Sequence, residues 1–141
     1  MGELPRHSVS VTGVVFRDDR RVLAIQRSDD SRWVPPGGVL ELSETPADGV
    51  AREVLEETGI RIKVDQLTGV YKNMVQGIVT LAFRCYATGG ETHPTSEARQ
   101  VAWLTVEEVK RAMVEARAVR ITDALSGNGP FVRVHDGTRL L

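Results

Sequence analysis

The chain is short of several things, and each shortage narrows what the protein can be. Cys85 is its only cysteine, so no disulfide can form within the chain and a reducing compartment is the simpler expectation. Neither sign of charge dominates: 18 Lys and Arg stand against 19 Asp and Glu, for a formal net charge of -1. That balance gives no support for a polyanion-binding surface over the whole molecule, and no nucleic-acid partner is expected. No apolar run is long enough to cross a bilayer. The first residues, MGELPRHS, lack the apolar core of a signal peptide. Arg6 stands where a myristoylation motif needs Ser or Thr, and no N-glycosylation sequon occurs. No repeat, low-complexity stretch or linker divides the 141 residues. The expectation is one cytoplasmic domain spanning residues 1–141 with a single core and no membrane partner.

What is present alternates between strand and helix patterns. Residues 8–16 place Val9, Val11 and Val15 on one side and Ser8, Ser10 and Thr12 on the other, a strand period. A polar turn at 17–20 leads to a second strand at 21–27, and a loop at 29–32 follows. The run Trp33-Val34-Pro35-Pro36-Gly37-Gly38 is kept from helix by its prolines and glycines. Further on, strand character shows around Val64 and again at 67–71, then at 78–86 and 98–104. Residues 73–77 form a turn, and 87–96, broken by Gly89, Gly90 and Pro94, a loop. Cys85 lies in an apolar strand pattern and reads as core filler. Thr105-Val106-Glu107-Glu108 is a capping box. It opens a helix with Val106, Val109, Met113 and Ala116 on its apolar side, extending with or without a break to Leu125. Residues 131–141 suit a hairpin turning at Asp136-Gly137. Such a mixture packs helices on the faces of a sheet, in an α/β or α+β fold.

One stretch carries chemistry. Residues 38–60 read GVLELSETPADGVAREVLEETGI. Thr45 is an N-cap, Pro46 takes the first helical position and Asp48 sits in the first turn, all suited to the positive end of a helix. Gly59 supplies the stop. At 100° per residue, Glu53, Glu56 and Glu57 fall within about a third of the circumference. Val50, Ala51, Val54 and Leu55 occupy a separate arc. Converging carboxylates repel one another at helical spacing, and their oxygens suit a hard cation such as Mg²⁺ or Mn²⁺. Arg52, beside the acidic face, can reach Glu56 one turn on or fold back to Glu44.

The spacing G-x5-E-x7-R-E-U-x-E-E-x-G-U, with U a bulky aliphatic, is met at Gly38, Glu44, Arg52, Glu53, Val54, Glu56, Glu57, Gly59 and Ile60. It resembles the signature box of the Nudix hydrolases at every position. A chance match in a chain of this length is on the order of one in a million.

That resemblance implies an α/β/α sandwich around a mixed sheet, with the box as a loop, helix and loop. It implies a Mg²⁺- or Mn²⁺-dependent pyrophosphohydrolase acting on a nucleoside diphosphate derivative. Glu53, Glu56 and Glu57 match the metal-binding glutamates, joined by the Gly38 carbonyl. Arg52 pairs with an acid, Glu44, and orients the glutamates. The general base is Glu53 or a later acid, with Glu97 the first candidate and Glu91 the second. For substrate contacts the expectations are Arg27, Trp33, Tyr71 and Lys72, each with a structural alternative such as packing, a turn or an ion pair. No proline or tyrosine stands where ADP-ribose or dinucleoside polyphosphate hydrolases often carry one. Elimination leaves an NTP or modified dNTP as substrate, with ADP-ribose, nucleotide sugars and dinucleoside polyphosphates as alternatives. A nucleotide-sensing module without turnover is the rival from another class. A homodimer stays open.

Overall fold

The computed structural model describes residues 2–141. Its elements run β1 (Ser8–Phe16), β2 (Val22–Arg27), β3 (Trp33–Val34), β4 (Gly37–Val39), α1 (Pro46–Thr58), β5 (Ile60–Asn73) and β6 (Ile78–Gly90). They continue with β7 (Ala98–Leu104), α2 (Val106–Ala112), α3 (Glu115–Ser126) and β8 (Phe131–His135). The strands form one mixed sheet in the order β3-β2-β1-β6-β5-β8, with β4 added to β1 and β7 to β2. β1 lies parallel to β6 and β5 parallel to β8. The other pairings are antiparallel.

Helices cover both faces. On one side α1 sets Val50 and Val54 against Val11, Val15, Leu23 and Cys85. On the other, α2 and α3 bring Val109, Met113, Ile121 and Ala124 onto Val14, Phe16, Val22 and Ala24. Successive β1 side chains therefore enter alternate cores, as the two-residue period requires. Each fully buried valine contributes about 1.5–3 kcal/mol by leaving water. Cys85 is completely buried, and burial pushes its thiol pKa up to about 12, so it fills space.

β1 and β2 pair only at Phe16↔Val22, beside their connecting turn. Beyond it, β4 takes the edge of β1 at Ser10 to Thr12, and β7 takes β2. The two strands part, and the functional cleft opens where they do.

Three segments differ from the sequence expectation, and in a fourth the helix break left open there is present. β5 is one strand of 14 residues, not two pieces. Its register against β6 shifts at Arg61/Ile62, Val64/Gln66 and Leu67/Gly69, and such bulges break the period by which a strand is recognised. β6 continues to Gly90 because Ile60 pairs with it. The helical region is two helices, separated by the extended backbone of Met113 and Val114. Residues 131–135 join β5 as a parallel edge strand, and only a short return bridges His135 to Leu140.

Candidate active site

The site is built on α1. Thr45 Oγ1 accepts from the Asp48 N–H at 3.2 Å, capping the start. Gly59, at φ 83°, ends the helix with its N–H on the Leu55 carbonyl. A side chain at that φ would be strained. With Val50 and Val54 in the core, the acidic arc faces β4. The Gly37 N–H donates to Glu57 Oε1 at 2.8 Å. A Cβ on Gly38 would fall 2.6 Å from the Glu53 carboxylate. The helix acids Glu53 and Glu57 sit directly against the glycines of β4, which leave them no spare room.

Arg52 ties the group together. Its Nε and Nη2 donate to the two oxygens of Glu44 at 2.9 and 2.6 Å. Its Nη1 donates to Glu53 at 3.0 Å and to Glu56 at 3.3 Å. Glu44 also accepts from the Glu41 N–H. The fork of Arg52, then that N–H, hold the Glu44 carboxyl down at about 2. Glu53 moves the opposite way: burial raises it, and the Arg52 hydrogen bond offsets only part. Glu57 is raised furthest, to about 7, by burial and by the charges of Glu53 and Glu97, against the Gly37 N–H that favours its ionised form.

These carboxylates are not gathered round one point. Among the described residues no three His, Cys, Asp or Glu side chains are arranged to hold a metal ion. Glu53 and Glu56 are engaged by Arg52 and Glu57 by Gly37. The donor set nevertheless consists of hard carboxylate oxygens. Glu57 is buried and Glu53 half-buried, both with carboxyls raised by desolvation, and a cation would supply the positive charge that favours their ionised forms. The residues fit a divalent ion.

A cleft of about 710 Å³ runs from this acidic end, and Glu53, Glu57, Gly38, Glu97 and Arg27 line it. Arg27 is clamped on Asp29 at 3.0 and 2.6 Å. The Glu56 side chain is 62% exposed and does not line the cleft. Glu91 lies past the end of β6 with its carbonyl against Gly59, outside the cleft lining.

Three expected substrate contacts need correction. Tyr71 is fully buried and donates its hydroxyl to Asp123 at 2.8 Å, so it belongs to the α3 packing. Lys72, its neighbour, points to the opposite side of β5 by strand alternation and does not line the cleft. Trp33 packs against the core formed with α2 and α3 and lines only a small side crevice. In their place the far wall presents Asn73 from β5, Arg117 and Arg120 from α3, and His135 from β8. One signal for the two arginines was available in the sequence: they are three apart on one helix and share a face. Nothing local marked His135, whose position depends on the parallel pairing of β8.

Layers, acids and arginine together define a phosphoanhydride hydrolase, and comparison with known proteins agrees. The family model described as NUDIX domain matches residues 6–125. A MutT-like protein of Streptomyces ambofaciens is 60% identical over 137 residues, covering 97% of this chain and 89% of the relative. An ADP-ribose pyrophosphatase of Streptococcus suis superposes with TM-score 0.77 at 19% identity, covering 92% of this chain and all of the other. A bifunctional NMN adenylyltransferase/ADP ribose pyrophosphatase of Francisella tularensis, complexed with AMP and a Mn ion, gives TM-score 0.71 at 24% identity. That match covers 91% of this chain and 44% of the other. The chain belongs to the Nudix hydrolase family, whose members act on phosphorus-containing anhydrides. Among the described residues no helix is long and apolar enough to cross a membrane.

Proposed function

We propose that the protein is a pyrophosphohydrolase dependent on Mg²⁺ or Mn²⁺, cleaving a phosphoanhydride bond in a nucleoside diphosphate derivative, most directly an NTP or modified dNTP. The observation that carries this is the acidic end of the cleft. There Glu53 and Glu57 are held against Gly37 and Gly38 of β4, with Arg52 bridging Glu44 and Glu53. The residues that would hold the ion are Glu53, Glu56, Glu57 and the Gly38 carbonyl. The chemistry such an ion supplies is charge neutralisation on the phosphoanhydride and acidification of water.

The chain's own groups do the rest. Arg52 fixes Glu53 in orientation while Glu44 keeps the guanidinium in place. Glu97, which lines the cleft with Glu53 and Glu57, is the first candidate to accept a proton from attacking water, and Glu53 is the other. Two structural neighbours are named as ADP-ribose pyrophosphatases, which makes ADP-ribose the first alternative substrate to assay.

The deciding experiment is turnover of a panel of NTPs, oxidised dNTPs, ADP-ribose, nucleotide sugars and dinucleoside polyphosphates with Mg²⁺ and with Mn²⁺. Glu56→Gln and Glu57→Gln variants run beside the wild type. Loss of activity in folded variants supports the assignment. Full activity in both overturns it, and tight binding of a nucleotide recovered uncleaved identifies a sensor instead.

A further inference from the structure

The far wall of the cleft holds positive charge that the hydrolytic chemistry does not use. Arg120 is 3% exposed and His135 2% exposed, and both line the cleft with Arg117. Arg120 donates from Nη1 to Thr12 Oγ1 at 3.2 Å and lies 5.5 Å from the centre of the Tyr71 ring. Its Nε has no partner, nor has Nε2 of His135. Neither Arg117 nor Arg120 forms a salt bridge among the described residues. The acid one turn further along α3, Asp123, is engaged at both oxygens by Arg133, each at 2.7 Å, and also accepts from Tyr71.

The protonation of His135 can be read from its neighbours. The Gly137 N–H donates to Nδ1 at 2.9 Å, so the proton of the neutral ring sits on Nε2. Burial and the charges of Arg120 and Arg117 keep the ring neutral. These three side chains therefore present donors to the cleft, and Thr12 Oγ1 meets one Arg120 N–H while the Arg120 Nε and His135 Nε2 groups go unmet. Burial and mutual repulsion draw the Arg120 pKa down to about 9. A buried cation without a counter-charge is costly, and an unpaired buried N–H adds to that cost. A neutral acceptor would satisfy the N–H groups yet leave both charges uncompensated. An oxyanion answers both.

We propose that Arg117, Arg120 and His135 form a specificity site for an oxyanion, phosphoryl or carboxylate, that the substrate carries in addition to the two phosphates being parted. This rests on the hydrolase assignment above and narrows its substrate. A nucleotide with a further phosphoryl or acidic group fits the cleft at both ends, whereas one ending in a neutral sugar leaves the far wall unpaired.

The test uses the full-length protein, metal-free and ¹⁵N-labelled, with inorganic phosphate and acetate as probes. The readouts are the His135 imidazole nitrogens and thermal stability. A saturable shift at His135 Nε2, weakened about tenfold or more by Arg117→Met as expected for a charge-assisted hydrogen bond, supports the site. Arg120→Lys, which keeps the charge in the fold but loses the planar fork, should weaken it as well. A response to phosphate alone identifies a phosphoryl group, and a response to acetate alone a carboxylate. No His135 shift with either anion up to about 50 mM, or a shift untouched by both variants, overturns the proposal. Hydrolysis measured separately keeps the two assignments apart. Turnover without anion binding removes only this site, and anion binding without turnover removes only the enzyme.

Discussion

Glu57 and Gly37 are twenty positions apart and joined by one hydrogen bond, the Gly37 N–H on Glu57 Oε1 at 2.8 Å. That contact links the last turn of α1 to the strand laid across β1, and it holds a carboxyl that burial has already pushed up to about 7.

The folded protein should therefore bind a proton at Glu57 between pH 4.5 and 7, where the unfolded chain has released it. A group that holds its proton more tightly when folded contributes stability that is complete below its unfolded pKa. That contribution fades as pH rises through the folded value. For metal-free protein the loss is on the order of 3 kcal/mol across that interval. Thermal melts from pH 5 to 8 should show it as a difference from Glu57→Gln, which lacks the titration and keeps an acceptor for Gly37. With Mg²⁺ bound, the trend should reverse, because the ion competes with the proton.

Gly38→Ala and Gly37→Ala should separate geometry from folding. The new Cβ at 38 meets the carboxylate end of the Glu53 side chain, not backbone, so that carboxylate should swing away from Arg52 at a cost of about 1 kcal/mol. Activity should fall about tenfold or more, since a displaced carboxylate spoils positioning. At 37 the Cβ meets the backbone carbonyl of Val11, and the cost should be about 2 kcal/mol or more. Melts and initial rates on both proteins check the pair.

Arg52→Lys retains the charge but cannot serve Glu44 with two parallel bonds and Glu53 with a third. We expect kcat to fall about ten- to a hundredfold with KM for the nucleotide little changed. Steady-state kinetics at saturating Mg²⁺ distinguish this from a loss of substrate affinity.

Tyr71→Phe removes a buried hydroxyl from Asp123 while Arg133 stays in place. The expected cost is about 1–2 kcal/mol, seen as a lower Tm, with kcat within about twofold of wild type. A large rise in KM would return Tyr71 to the substrate wall.

The acidic end of the cleft could be read from the chain because everything that forms it is local. Thr45, Pro46 and Gly59 bound the helix by chemistry visible within a few residues. The helical period then puts Glu53, Glu56 and Glu57 on one arc. The strands of the central sheet were readable for the same reason, from short-range alternation. Residues that depend on distant pairing were not. Tyr71 looked like the tip of a strand because the bulges in β5 hid its true length. His135 looked like part of a hairpin because nothing near it indicates a parallel partner at Asn73. Arg117 and Arg120 lie beyond the signature box and carried no assignment, because only the packing of α3 brings them to the cleft.

The two ends of the cleft come from separate stretches of chain, residues 37–57 at one and 117–135 at the other, and no hydrogen bond described above joins them. On the roles proposed for the two ends, variation in the later stretch would retune which molecules are admitted while the cutting apparatus stays mechanically intact. Libraries randomised at 117, 120 and 135 are thus a natural place to redirect this scaffold toward new leaving groups.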